Sequence, residues 1–150
     1  MISVIQRVAA CSVKIDGAVF SAIGPGLLVL LGVGPNDSAA DAESLADKIV
    51  NLRVFEDGEG KMNRSLLDTK GQLMAVSQFT LCADCRRGRR PSFTGAAAPE
   101  LGERLYGRFI EKVRAKGVPV ETGKFGAKML VEIGNDGPVT LTLDTAFSQK

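Results

Sequence analysis

Apolar and polar residues alternate early in the chain. Val13 and Ile15 stand against Ser12 and Lys14, followed by Asp16-Gly17 and then Ala18-Val19-Phe20. Asp-Gly between two such runs is the strongest short hairpin signal. Gly24-Pro25-Gly26 turns the chain again, and Leu27 to Val33 reads as a strand buried on both faces, closed by Gly34-Pro35. The period then changes. Ser38 has the place of a helix N-cap with Asp41 three residues on, and Ala42, Leu45, Ala46, Ile49 and Val50 recur at helical spacing. Residues 53–72 mix charge and glycine and read as irregular, with a short strand at Arg53-Val54-Phe55. Leu73 to Cys82 is a second buried strand. Pro99 suits the first turn of a second helix; Leu101, Leu105, Tyr106, Phe109 and Val113 share its face, and Gly117 ends it. Strands follow over roughly 118–123, 127–133 and 139–144, the last two separated by Gly134-Asn135-Asp136-Gly137-Pro138.

Two helices cover only one face of a sheet this size. The remaining apolar strands must pack on each other or on another subunit. The expected fold is therefore α/β: a layered mixed β-sheet sandwich with two main helices over one face. With 150 residues, no repeat and no linker-like stretch, it forms one domain over 1–150.

Composition mainly excludes. There is no histidine, so a Ser-His-Asp triad, a Cys-His pair and a His-ligated metal are all out. A net charge of +2 is too small to mark a nucleic-acid binder by bulk charge. Three cysteines are too few for a disulfide framework and suit a reducing compartment. Gln6 and Arg7 break the N-terminal apolar run, and Ala22 to Val33 is too short to span a bilayer, so the expected location is the cytoplasm. Gly32-Val33-Gly34 lacks the third glycine of the dinucleotide fingerprint, because position 37 is Asp, and there is no Walker A sequence. Glu56, Asp57 and Glu59 crowd near Lys61 without the look of a catalytic pair.

Three segments are candidates for chemistry. In the strand from Leu73, Ser77, Gln78 and Thr80 interrupt a buried run; they are either a strand end satisfying nearby backbone or a polar site. Asn135-Asp136-Gly137-Pro138-Val139-Thr140 is either a hairpin turn or a rigid stretch that aims carbonyls, since Gly permits unusual angles and Pro fixes φ. Arg86, Arg87, Arg89 and Arg90 form either a solvated loop or a contact for a nucleic-acid phosphate backbone. Cys82-Ala83-Asp84-Cys85 offers half a zinc site at most, or a thiol pair outside the usual redox setting.

Two of these segments together resemble something specific. Ser77-Gln78-Phe79-Thr80-Leu81 and Gly137-Pro138-Val139-Thr140 are similar to the paired signatures of the D-aminoacyl-tRNA deacylases. Asn51-Leu52-Arg53-Val54-Phe55, Gly60-Lys61-Met62-Asn63, Arg90-Pro91-Ser92-Phe93 and the opening Met1 to Arg7 resemble that family in the same order. The resemblance implies a cytoplasmic homodimer that hydrolyses the ester between a D-amino acid and the 3′ end of tRNA, and that also acts on glycyl-tRNA. It implies catalytic roles for Ser77, Gln78, Phe79 and Thr80, with the Phe79 and Thr80 amides facing the scissile carbonyl and Phe79 near the terminal adenosine. It further implies that Gly137, Pro138, Val139 and Thr140 bind substrate, with a cis Gly137-Pro138 reaching across the dimer as a chirality gate. Water activation then falls to the tRNA 2′-hydroxyl, with Thr80 as the rival nucleophile. No cofactor, metal, membrane or DNA partner is expected. The rival readings are a non-catalytic RNA-binding module using Arg86, Arg87, Arg89 and Arg90, and a thiol redox protein around Cys82 and Cys85.

Overall fold

The computed structural model describes residues 1–147; residues 148–150 of the expected domain lie outside the described residues. The hairpin forms where Asp-Gly predicts it. Strand β1 (Ile2–Ile15) turns through Asp16 and Gly17, both at positive φ, into β2 (Ala18–Ile23). β3 (Gly26–Gly32) follows, then helix α1 (Ala39–Asn51), whose Ser38 and Asp41 cap each other reciprocally.

The supposedly irregular stretch is more ordered than expected. β4 (Phe55–Glu56) pairs with β5 (Met62–Arg64), in place of a strand at 53–55. A second reciprocal cap, Ser65 with Asp68, starts the short helix α2 (Leu66–Thr69). β6 (Gln72–Ser77) ends five residues before Cys82, because residues Phe79–Cys82 wind into a 3-10 turn. α3 (Pro99–Ala115) begins on Pro99 and buries Leu105, Tyr106, Phe109 and Val113; Gly117 follows at φ +84°. β7 spans Val120–Thr122.

The largest departure is β8 (Leu130–Asp144). The sequence suggests two strands around a turn, but both halves pair antiparallel with β1 along one edge. Ile2 to Gln6 pair with Asp144 to Thr140, and Val8 to Lys14 pair with Asn135 to Leu130. Residues 136–139 therefore bulge out of the ladder opposite Arg7 alone.

The main sheet runs β2-β1-β3-β6-β7, with β8 on the other side of β1. β3–β6 and β6–β7 are parallel; the remaining pairs are antiparallel. The architecture is mixed α/β, as expected. α1 and α3 cover one face, over Ile5, Leu27, Val29, Leu31, Leu73 and Ala75. On the opposite face Leu28, Met74 and Val76 meet Val8, Cys11, Val13 and Ile23. β1 thus feeds both clusters. Its buried side changes parity around the exposed Ala9-Ala10, where the ladder to β8 slips register. The sheet curls so far that β2 reaches β7, where Ser21 Oγ donates to Thr122 O at 2.7 Å.

Candidate active site

Where β6 gives way to the 3-10 turn, the chain forms one wall of a cavity of about 480 Å³. Ser77, Gln78 and Phe79 line that wall, Val33 lies beside them, and Ala97, Pro99 and Gly102 come from the start of α3. Phe125, Ala127, Met129 and Val131 complete the lining. The walls are mostly apolar and contain no acidic or basic side chain.

Gln78 is fixed at both ends. Its backbone N–H donates to Leu31 O at 2.8 Å, and its side-chain Nε2 donates to Thr80 Oγ1. A helical turn leaves its first N–H groups without internal partners. Among the described residues no backbone partner is found for the amides of Phe79 and Thr80. Both N–H groups lie at the start of the turn, beside the cavity wall formed by Ser77, Gln78 and Phe79. The Phe79 ring is 55% exposed and meets Phe93 edge-on, with centroids 5.1 Å apart.

Phe93 lies just past a loop pinned by mutual backbone bonds between Asp84 and Ser92, at 2.8 and 2.9 Å. All four arginines of this loop are exposed. Arg86 is engaged: it grips the Asp84 carboxylate through Nε (2.9 Å) and Nη2 (2.7 Å), which holds that carboxyl below its usual range. Arg87, Arg89 and Arg90 have no ion-pair partner among the described residues.

The second signature lies elsewhere on the chain. Gly137 and Pro138 are exposed at the crest of the β8 bulge, joined by a cis peptide, with Gly137 at φ +120°. Asn135 and Arg7 hold the bulge. Asn135 Nδ2 donates to Arg7 O (3.0 Å) and Val139 O (3.1 Å), across the neck. Gln6 Nε2 donates to Thr140 Oγ1 at 3.2 Å. Arg7 Nε donates to Asp136 O (3.2 Å), and Arg7 Nη1 donates to Val54 O (2.8 Å), on the way into the β4–β5 hairpin. Val139 packs against the main core. This corner is lined by Arg7, Phe55, Glu56 and Asp136, and it is not the cavity behind Ser77–Phe79. Within one chain the two signatures are not brought together.

Neither of the two less exposed thiols is activated, while Cys85 is exposed. Cys82 is half-buried with Sγ 3.6 Å from Val33 O; burial first, then the charge of Asp37, pushes its pKa up, the opposite of an activated thiol. Burial pushes Cys11 up to about 11. Among the described residues no group of three or more His, Cys, Asp or Glu side chains is placed to hold a metal ion.

The family profile described as D-Tyr-tRNA(Tyr) deacylase matches residues 4–144. The chain belongs to this family. The protein of Fervidobacterium nodosum named D-aminoacyl-tRNA deacylase is 58% identical over 145 residues, 97% of each chain. The Clostridioides difficile protein of the same name is 53% identical over 148 residues, 99% of each. A solved structure named c-Myc DNA Unwinding Element Binding Protein is 42% identical with a TM-score of 0.90, over 96% of this chain and 98% of that one.

Sequence reasoning overlooked several parts of the site. Phe125, Ala127 and Met129 of the cavity lie in a stretch that the sequence marks only as a strand from 127. The sequence does not mark Asn135 as the clamp of its own stretch, nor Arg7 as the side chain that braces it. One signal was available: Lys124-Phe125-Gly126-Ala127 closes a turn, with Ala127 N–H donating to Lys124 O at 3.1 Å and Gly126 at φ +76°.

Proposed function

We propose that this chain hydrolyses the ester of D-aminoacyl-tRNA, and of glycyl-tRNA, releasing free tRNA and the amino acid. The observation that carries the reading is the cavity walled by Ser77, Gln78 and Phe79, with no acidic or basic side chain in its lining, next to a turn whose Phe79 and Thr80 amides have no backbone acceptor among the described residues. A family membership that covers residues 4–144 supports it.

Water adds to the ester carbonyl carbon, the bond to the 3′-oxygen breaks, and the water's proton leaves on that oxygen. The Phe79 and Thr80 amides stabilise the oxyanion, a contribution of about 3–4 kcal/mol per donor in such sites. The neighbouring 2′-hydroxyl of the terminal adenosine relays the proton, the role that the family resemblance implies for it. Gln78 positions Thr80 and the turn.

The whole chain acts as one domain, and the enzyme works as a cytoplasmic homodimer. The exposed bulge of one copy enters the cavity of the other, with Val139 and Thr140 supporting Gly137 and Pro138. Leu130, Ile133 and Leu141, exposed on β8, provide apolar surface for that contact. Main-chain carbonyls at the gate reject an L side chain by clash and desolvation, whatever that side chain is. Glycine, having none, passes.

The test compares hydrolysis of matched D- and L-aminoacyl-tRNA. Rapid turnover of the D ester alone is expected. Equal rates would overturn the chirality gate and with it the D-specific reading, and tRNA binding without turnover would replace it with that of a non-catalytic RNA-binding module.

A further inference from the structure

Two of the cavity's walls carry positive charge on their outer side. Phe125, Ala127 and Met129 face the cavity, and the residues between and before them, Lys124 and Lys128, are exposed. Neither lysine has an ion-pair partner among the described residues. The tight turn from Lys124 to Ala127 holds the backbone of Lys124 one residue from the lining ring of Phe125. The Phe79 wall is continuous through Phe93 with the arginine loop, where Asp84 engages Arg86 and leaves Arg87, Arg89 and Arg90 free. The α3 wall differs. Glu100 and Glu103 flank the lining residues Pro99 and Gly102, with Arg104 beside them, so this side repels or ignores a polyanion.

We propose that Lys124 and Lys128 grip the phosphates of the RNA strand whose terminal nucleoside enters the cavity, continuing the strip begun by Arg87, Arg89 and Arg90. This rests on the deacylase reading. A nucleoside seated in the cavity carries its 5′-phosphate at the mouth, and the preceding phosphates follow outward within a few ångströms of one another. Ammonium groups on flexible stems suit such point-charge contacts and read no sequence, which an enzyme acting on many tRNAs requires.

The test uses two esters, tRNA acylated with D-tyrosine and adenosine carrying D-tyrosine on its ribose, which has no phosphate. For the double variant Lys124→Ala/Lys128→Ala, KM for the tRNA ester rises about five-fold or more. The log–log dependence of KM on salt becomes shallower by about 0.7–0.9 per lysine removed. Hydrolysis of the adenosine ester holds within about two-fold, and Lys→Arg at both positions restores the tRNA KM. Equal impairment on both esters, or none on either, overturns the strip. If the unaltered protein cleaves neither ester, the deacylase reading fails. Titration of the same variants with uncharged tRNA then decides the strip by itself: a weakened, less salt-sensitive Kd supports it and an unchanged Kd overturns it.

Discussion

Gly137 has no room for a side chain. A Cβ there would lie 2.9 Å from Arg7 Nη2 and 3.1 Å from Val139 N, at a φ of +120° that L residues rarely adopt. Replacing it by Ala imposes strain of about 1–3 kcal/mol, relieved only by moving the bulge. We expect Gly137→Ala to stay folded by circular dichroism and to lose at least about ten-fold in hydrolysis of D-aminoacyl-tRNA; turnover like the unaltered protein's would detach this residue from the site. The residues of the two signatures were legible because their order and spacing are particular to a family. Phe125 and Met129 were not, because an apolar residue in a glycine-rich loop has no local mark saying that it faces a cavity. Only the curl of the sheet brings them opposite Ser77.

Between elements, one side chain ties α3 to the central sheet. Tyr106 OH donates to Ala75 O at 2.8 Å, and burial pushes its pKa from 10.0 to about 12. Burial favours the neutral phenol, so the unfolded chain ionises first as pH rises. Stability from this group is complete below about pH 10 and is lost as pH climbs from there to about 12. Cys11, raised from 9.0 to about 11, adds to the decline from about pH 9. Because Tyr106 is the only tyrosine, its phenolate absorbance reports it alone. The expected titration lies well above that of free tyrosine, and Tyr106→Phe should flatten the loss of urea stability between about pH 10 and 12; an unshifted titration contradicts the burial. The two long helices were readable, from Ser38 with Asp41 and from Pro99 with Gly117, because capping chemistry is local; the one-turn helix after Ser65 was not. The β8 strand was not. Its partner is β1, far away in sequence, and a Gly-Pro step inside a strand looks like a turn until the ladder on both sides is seen.

For the molecule as a whole, β8 presents a long edge with no pairing strand beyond it among the described residues and exposes Leu130, Ile133 and Leu141. Such an edge invites association. We expect sedimentation to find two copies together. Ile133→Lys, at a position that is 40% exposed in the single chain, should yield a folded monomer with much reduced turnover. A fully active monomer would remove the need for a second copy. The sequence indicated that two helices leave part of a sheet uncovered. It did not indicate that the sheet covers some of that face itself, since curling depends on β1 switching parity at Ala9-Ala10, two small residues with no turn signal.

The β1–β8 ladder also bears on the order of assembly. Ile2 pairs with Asp144, so the contact closes a loop almost as long as the chain, at an entropic cost of about 4 kcal/mol. β1, β2 and β3 are neighbours in sequence and can join while the chain is still emerging from the ribosome. The strand that bears Gly137 and Pro138 can complete its pairing only after residue 144 has been made. A nascent chain thus holds Ser77–Phe79 well before its second signature can join β1.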